Sequence, residues 1–453
     1  MSEPRTIDLL IQNAYVVTFD DAGTVLTDGA IAVDGGTIVE VGTTTDLAAR
    51  YAPKERVFAE GKLAMPGLID SHLHTAQTMM RGLFAELAWT HSMRQPMWRE
   101  YLIPFESNMS EDDVHLSGLL AYSNLLRTGT TTFFDAGGPF PLQMARAARE
   151  SGIRGIVTRS TVDLAIDIPE SMLLTTEQAV EENIAVVEAL AGDDRVTGAM
   201  GLRQIMNCSP ELITTIHEEA RQRGVKVHTH LLEGMDEIDY AVQQHGKRPV
   251  PYLVDLGVFT ETLHCAHSVY ASPWDLQHYV GGPSVGHCSN NYRFGVPRAL
   301  EMWRMGVAIG LGTDGAATSQ GSLDVFRVAT AVQLGQQHIY GVPVHDFEML
   351  EPDEALRMAT RGGARALGLG DRIGALEAGR AADVVLLRLD GPDAAVTVSP
   401  FAFLVDAATG RDVDTVLVGG EVVVSGGEVL TVDQSAIRAA GAERQKVLVA
   451  ALG

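Results

Sequence analysis

The chain has little cysteine. Three occur in 453 residues, Cys208, Cys265 and Cys288. They form no Cys-x-x-Cys pair, and an odd count at these spacings does not describe a secreted disulfide framework. Positive charge is also scarce: 34 Lys and Arg stand against 58 Asp and Glu, a formal net charge of -24. An acidic surface repels phosphate backbones, so nucleic acid is a poor partner, and the charge is read as serving solubility. No run of about 18 apolar residues is present, which argues against a membrane partner. The first residues, Met1-Ser-Glu-Pro-Arg-Thr-Ile-Asp8, lack a basic segment followed by a long apolar one. A cytoplasmic location is expected. No Gly-x-Gly-x-x-Gly follows the first strand and no P-loop occurs, so nucleotide-cofactor readings lose support.

Apolar residues are plentiful, at 46%, which is enough for a large core. Residues 9–18 and 29–42 are strand-like and broken by Gly and Asp-Gly turns. Residues 382–387 and 414–424 repeat that texture, the latter with a Gly-Gly turn. The two chain ends therefore predict one small β-sandwich, from residues 1–60 and 376–453. Between them, short apolar strands alternate with helical stretches. The first ends at His74, and the others cover 130–135, 153–159, 196–202, 225–231, 262–267, 284–287 and 307–314. Eight such βα units over 61–375 predict a (β/α)8 TIM-like barrel, with an open doubly wound sheet as the alternative.

Chemically useful residues fall at the ends of the first, fifth, sixth, seventh and eighth strands. In a barrel those ends meet at one mouth. His72 and His74 are two apart on a strand and share a face. With His230 and Asp314 they supply three imidazoles and a carboxylate, a donor set suited to one divalent ion, Zn2+ first and Fe2+ or Mn2+ next. Such an ion lowers the pKa of a bound water towards roughly 7. Asp314 can bind the ion and take the water proton. Glu233, three past His230, can carry a proton between water and substrate. His264 can hold the attacking hydroxide. His228 shares the face of His230 one layer deeper and is read as a supporting or core residue.

His267 and His287 lie near the mouth as candidate substrate contacts. His91, His115, His217, His245, His278, His338 and His345 read as ordinary surface residues. Asp135 reads as a turn residue, and Met79, Met80, Met93 and Met97 as core filling or an apolar pocket wall.

These stretches together resemble the amidohydrolase superfamily. The matching segments are Pro66-Gly-Leu-Ile-Asp-Ser-His-Leu-His74, Thr128-Gly-Thr-Thr-Thr132, His228-Thr-His-Leu-Leu-Glu233, Leu263-His-Cys-Ala-His267, Leu311-Gly-Thr-Asp-Gly315 and Gly379-Arg-Ala-Ala-Asp383. Within that superfamily the chain is similar to the branch of S-adenosylhomocysteine and methylthioadenosine deaminases, guanine deaminase and triazine hydrolases. The resemblance implies one metal, since strand four offers no Lys for a second. It also implies hydrolytic deamination of an amidine-like ring, with Glu233 protonating the adjacent ring nitrogen and ammonia leaving.

The expected substrate is a small heterocycle of adenosine, purine or pterin type. The alternatives are s-triazine chlorohydrolase or aminohydrolase chemistry, cyclic amide hydrolysis, or a non-catalytic scaffold. Gln77 is a candidate amide partner for the heterocycle, and Trp89 a candidate stacking residue. The stretches 315–328 and 287–293 depart from the adenosine-type pattern. A homo-oligomer is expected.

Overall fold

The computed structural model describes residues 3–166, 168–287, 295–318, 322–345, 350–351 and 353–452, apart from the His287 side chain. Strands β1 (Arg5–Val17), β2 (Val25–Asp34), β3 (Thr37–Thr43), β4 (Tyr51–Phe58) and β5 (Lys62–Pro66) come first. The chain end returns as β14 (Val384–Arg388), β15 (Val413–Val418), β16 (Glu421–Ser425) and β17 (Glu428–Val429). All nine form one mixed sheet, in the order β17-β16-β15-β14-β5-β1-β2-β3, with β4 also paired to β1. Alternation along β1 feeds two apolar clusters. Leu9, Ile11, Ala14 and Val16 pack with Val384 and Leu386, while Ile7 and Leu10 pack with Leu47. The first half of β1 pairs with β4 and the second half with β5.

Between these ends lie β6 (Leu68–Leu73), β7 (Thr130–Asp135), β8 (Arg154–Thr161), β9 (Val196–Leu202), β10 (Val227–Leu231), β11 (Leu263–His267), β12 (Ser284–His287) and β13 (Ile309–Leu311). They pair in chain order, all parallel. This is the expected barrel. Its last strand is shorter than the expected 307–314, and closure onto β6 passes through a bridge between Leu73 and Asp314. Close approach there needs a glycine: a Cβ on Gly312 would stand 2.9 Å from the Cβ, N and O of His72.

Two expected boundaries shift. Strand β5 belongs to the mixed sheet, which therefore reaches Pro66, and only Gly67 separates it from β6. The helix Gln434–Ala450 does not stay with the sheet. Its Arg444 pairs with Asp113 of the barrel helix Glu111–Arg127, and its Gln445 Nε2 donates to the Met79 carbonyl at 2.8 Å. An amphipathic helix buries its apolar stripe wherever a matching face exists, and the barrel offers one. Among the described residues, no helix is long and apolar enough to cross a membrane.

Asp383 joins the two units. Its carboxylate accepts two hydrogen bonds from Arg154 of β8, at 3.0 and 3.1 Å, and one from the Gly419 amide at 2.7 Å. Its carbonyl accepts from the Gly67 amide at 3.0 Å. Both side chains are buried. Removing one member of such a pair leaves the other charge buried and alone. Asp383→Asn is expected to cost about 3–5 kcal/mol of stability, read as a lower guanidinium midpoint, whereas exchange of an exposed pair such as Lys54–Asp8 moves it little.

Candidate metal centre

The strand ends converge as the sequence implies. His72 Nε2 lies 3.2 Å from Asp314 Oδ1, and His74 Nε2 lies 3.5 Å from the same oxygen. His74 Nε2 and His230 Nε2 are 3.0 Å apart. His72, His74 and His230 each offer a nitrogen within 4.8 Å of the others, and His72, His267 and a carboxylate oxygen of Asp314 form a second such trio. Ligand atoms about 2.0–2.1 Å from a tetrahedral ion stand roughly 3.3 Å apart, so these separations fit a single divalent ion. The proton arrangement fits as well. His230 Nδ1 lies 2.8 Å from the Arg203 carbonyl. That carbonyl only accepts, so Nδ1 carries the proton and Nε2 presents a bare lone pair to the cluster.

Burial sets the charge state. Desolvation holds His72, His74 and His228 well below the usual histidine value, and His230 down to about 3. The neighbouring imidazoles reinforce this at His72, His74 and His228, and at His230 through His267. Neutral imidazole is the metal-binding form. His228 Nε2 sits 2.9 Å from His72 Nδ1, stacked on it, which fixes the ring that presents Nε2 to Asp314. The supporting role read for His228 matches this geometry.

The sixth strand differs from expectation. His264 pairs in register with His228 and shares its deeper layer. Its Nδ1 contacts Ser284 Oγ at 2.9 Å and its Nε2 the Ser71 carbonyl at 2.8 Å. Both ring nitrogens are spent, so His264 cannot reach a hydroxide at the mouth. His267 faces the cluster instead. It ends β11 with φ of 69°, and its ring lies 4.9 Å from that of His72 and 3.6 Å from Glu233 Oε1. Among the described residues, neither of its nitrogens has a hydrogen-bond partner. The motif holds two histidines three apart, and strand spacing alone favoured the wrong one.

Glu233 follows β10. Gln204 Nε2 donates to its Oε2 at 2.9 Å, leaving Oε1 towards His267. Burial pushes its carboxyl above the ordinary value despite the opposing pull of His267. It borders a cleft of about 410 Å³ lined also by Met97, Trp98, Leu102, Tyr270 and Thr318.

The remaining candidates fall elsewhere. Gln77 is fully buried and donates to Glu106 Oε1 at 2.7 Å; it is not part of the cleft lining. Trp89 is 83% exposed, because its short helix Leu83–Trp89 buries only Phe84. The tryptophan at the cleft is Trp98. His287 ends β12, and its side chain lies outside the described residues, as does the segment 288–294. Asp135 accepts from the Thr75 amide at 3.0 Å and the Gly137 amide at 2.7 Å, as a turn residue does.

Sequence reasoning missed Arg203 and Glu106, a buried pair at 2.8 Å beside the cluster. Arg203 follows β9 directly, and that strand-end position was the available signal. Glu106 had none. Asp70 was also missed. It accepts from the Thr313 amide at 3.0 Å and Thr313 Oγ1 at 2.6 Å, and burial raises its carboxyl to about 7.

Comparison with known proteins is consistent with this geometry. The family model described as "Amidohydrolase family" matches residues 63–423. The chain belongs to the amidohydrolase family. A short match to an imidazolonepropionase-like composite domain of bacteria covers residues 29–52. A 5-methylthioadenosine/S-adenosylhomocysteine deaminase of Pelotomaculum thermopropionicum is 32% identical over 450 residues, 98% of this chain and 99% of the relative. Its counterpart in Desulforudis audaxviator is 34% identical over 437 residues, 95% and 96% of the two chains. Among solved structures, an adenosine deaminase of Xanthomonas campestris with bound zinc superposes with a TM-score of 0.91 at 27% identity, covering 99% and 100%. A zinc-complexed atrazine chlorohydrolase of Arthrobacter aurescens TC1 gives 0.83 at 25% identity, covering 96% and 100%.

Two outcomes are expected. His228→Ala removes the partner that orients His72 and weakens metal affinity about 10–100-fold, measured by competition with a chelator. Stability of the metal-free protein is expected to depend on pH through its buried neutral histidines. The folded values lie below the unfolded one of about 6.5, so the unfolded chain binds more protons in between. Stability is therefore full above about pH 6.5 and falls as pH drops below it, down to about 3 in the case of His230. Urea midpoints at successive pH values read this directly.

Proposed function

We propose that this amidohydrolase is a metal-dependent aminohydrolase that releases ammonia from an amino-substituted nitrogen heterocycle. Methylthioadenosine and S-adenosylhomocysteine are its leading substrate class. The observation that carries the reading is Glu233. It is a carboxyl held towards its protonated form, standing beside His267 and the ligand cluster, and open to a cleft. Hydrolysis of a carbon–nitrogen bond in a cyclic amidine needs an acid at that place. The full-length deaminase relatives support the same reaction and the substrate class.

His72, His74, His230 and Asp314 would hold the ion, with zinc first by donor chemistry and by the zinc-bound neighbours. When bound, the ion supplies Lewis acidity and lowers the pKa of water to about 7. His267 orients the attacking water through a free ring nitrogen. Asp314 accepts one water proton as the oxygen bonds to the ring carbon. Glu233 gives its proton to the adjacent ring nitrogen, so the C=N pair moves onto nitrogen rather than building charge. Asp314 returns the proton to the exocyclic amino group. The exocyclic carbon–nitrogen bond then breaks and ammonia leaves as the added hydroxyl becomes the carbonyl of an intact lactam ring. The proton of that hydroxyl returns to Glu233, and the ring nitrogen keeps the one it received. Gln204 holds Oε2 throughout, so Oε1 faces the substrate. A cytoplasmic homo-oligomer is the proposed setting.

Glu233→Gln is expected to retain metal and lose about 10²–10⁴-fold in kcat, measured as ammonia release. Wild-type turnover should decline as pH rises through the raised value of Glu233, since the acid form is the working one. The same assay across methylthioadenosine, S-adenosylhomocysteine, adenosine, guanine, pterins and amino-triazines sorts the substrate class. Silence on all of them with metal-loaded protein would sink the deaminase reading, and halide release from a chlorotriazine would replace it.

A further inference from the structure

A second cavity, of about 720 Å³, lies where the mixed sheet meets the barrel. Arg127 ends the helix Glu111–Arg127, just before β7 begins at Thr130. That wall of the cavity is at the N-terminal end of the barrel strands, opposite the metal centre. Four arginines line the space: Arg127, Arg327, Arg388 and Arg411. Arg127 Nε donates to the Gly427 carbonyl at 3.1 Å, and Arg388 donates to the Arg411 carbonyl. A Cβ on Gly427 would lie 4.0 Å from Arg388 Nη1. Arg127 and Arg388 thus reach one turn from two sides. Among the described residues, Arg127 bonds only this neutral carbonyl, whereas Arg388 also acts on the nearby Asp414 carboxylate and helps hold it below its usual value.

Two carboxylates also line the cavity; neutral donors engage both, and the charge of Arg327 also acts on Asp324. Asp324 accepts from the Phe326 amide at 3.0 Å and the Gly410 amide at 3.2 Å, and Glu428 accepts from Gln434 Nε2 at 3.0 Å. The helix Val325–Gln336 begins at the same wall, so the positive end of its dipole adds to the field. The chain as a whole carries a formal charge of -24. Four arginines against two lining carboxylates, at one cavity of such a chain, leave a local excess of positive charge.

We propose that this cavity binds a small oligophosphate anion through Arg127, Arg388 and Arg411. Guanidinium groups match phosphoryl oxygens with paired, charge-assisted hydrogen bonds. Three of them around a space this large suit two or more linked phosphoryl groups better than one. Such an anion comes as inorganic pyrophosphate or as the phosphate chain of a nucleotide. The site is distinct from the metal centre and does not depend on the reaction proposed there.

Isothermal titration of the full-length protein at about 150 mM salt, where exposed charges are screened beyond about 8 Å, tests this. The probes are pyrophosphate, ATP, inorganic phosphate and sulfate. Pyrophosphate or ATP is expected to bind with a submillimolar Kd, about tenfold or more tighter than phosphate or sulfate. Binding by both places the recognition in the phosphate chain, and binding by ATP alone makes the ligand a nucleotide. Arg411→Glu and Arg127→Gln, both at exposed positions, should each weaken binding by about tenfold or more, with melting temperature and ammonia-release kcat unchanged. No binding of any probe, equal binding of sulfate, or binding that survives both substitutions would overturn the proposal.

Discussion

The structure depends on how the first and eighth barrel strands are joined. Strand β13 has three residues, too few to close a barrel through its own ladder. Closure is completed beyond it by Asp314, whose amide donates to the His72 carbonyl at 2.9 Å and whose carbonyl accepts from the His74 amide at 2.6 Å. Thr313 adds its amide and hydroxyl to the Asp70 carboxyl. The residues that close the barrel are therefore the residues that carry three of the four proposed ligand side chains. Their geometry cannot drift without opening the fold. Asp314 sits at φ of 67°, a conformation costly for a residue with a side chain. The bonds on both sides of it hold that conformation in place.

Electrostatics follows from the burial that closure creates. Imidazoles packed this tightly cannot all be charged, and desolvation keeps them neutral. Arg203 adds a fixed cation beside them, balanced by Glu106, whose other oxygen takes Gln77 Nε2. The same Arg203 orients His230 through its carbonyl. One residue thus links the end of the fourth strand to a ligand on the fifth, while Glu106 and Gln77 carry the link to the turn after His74. Gln77 belongs to this bracing rather than to the cleft, which explains why it is wholly buried.

What was legible in the sequence is what has a period. Strand alternation placed His72 with His74 and His228 below His230, and eight apolar segments gave the barrel. The closing bridge was also close to hand, because Asp314 ends the Gly-Thr-Asp motif. The failures share a cause. His264 and His267 both end a strand-like segment, and choosing between them needs the backbone twist that turns His267 towards the cluster. Trp89 and Trp98 are nine residues apart in a stretch without period. The short helix Leu83–Trp89 buries Phe84 and leaves Trp89 outward. Glu106 meets Arg203 across 97 positions; Arg203 had a strand end to mark it, and Glu106 had nothing. Asp383 was visible as part of a motif, but its reason, a buried pair with Arg154, was not.

Substrate choice is decided in the part of the site that closure leaves free. Backbone bonds fix the proposed ligand geometry and leave the cleft walls independent of it. The cleft beside Glu233 is walled instead by residues from irregular segments: Met97, Trp98 and Leu102 from one side, and Thr318 from beyond Asp314. Trp98 Nε1, Thr318 Oγ1 and Glu237 Oε1 border it without a hydrogen-bond partner among the described residues. A buried polar atom left unpaired costs about 1–3 kcal/mol. Three such atoms around one cleft would be a poor solution for stability alone. They are a reasonable one for a surface that hydrogen-bonds a polar ligand, because each cost borne in the free protein is recovered on binding. Fold stability and substrate recognition are thus drawn from different residues, with Glu233 at the boundary between them.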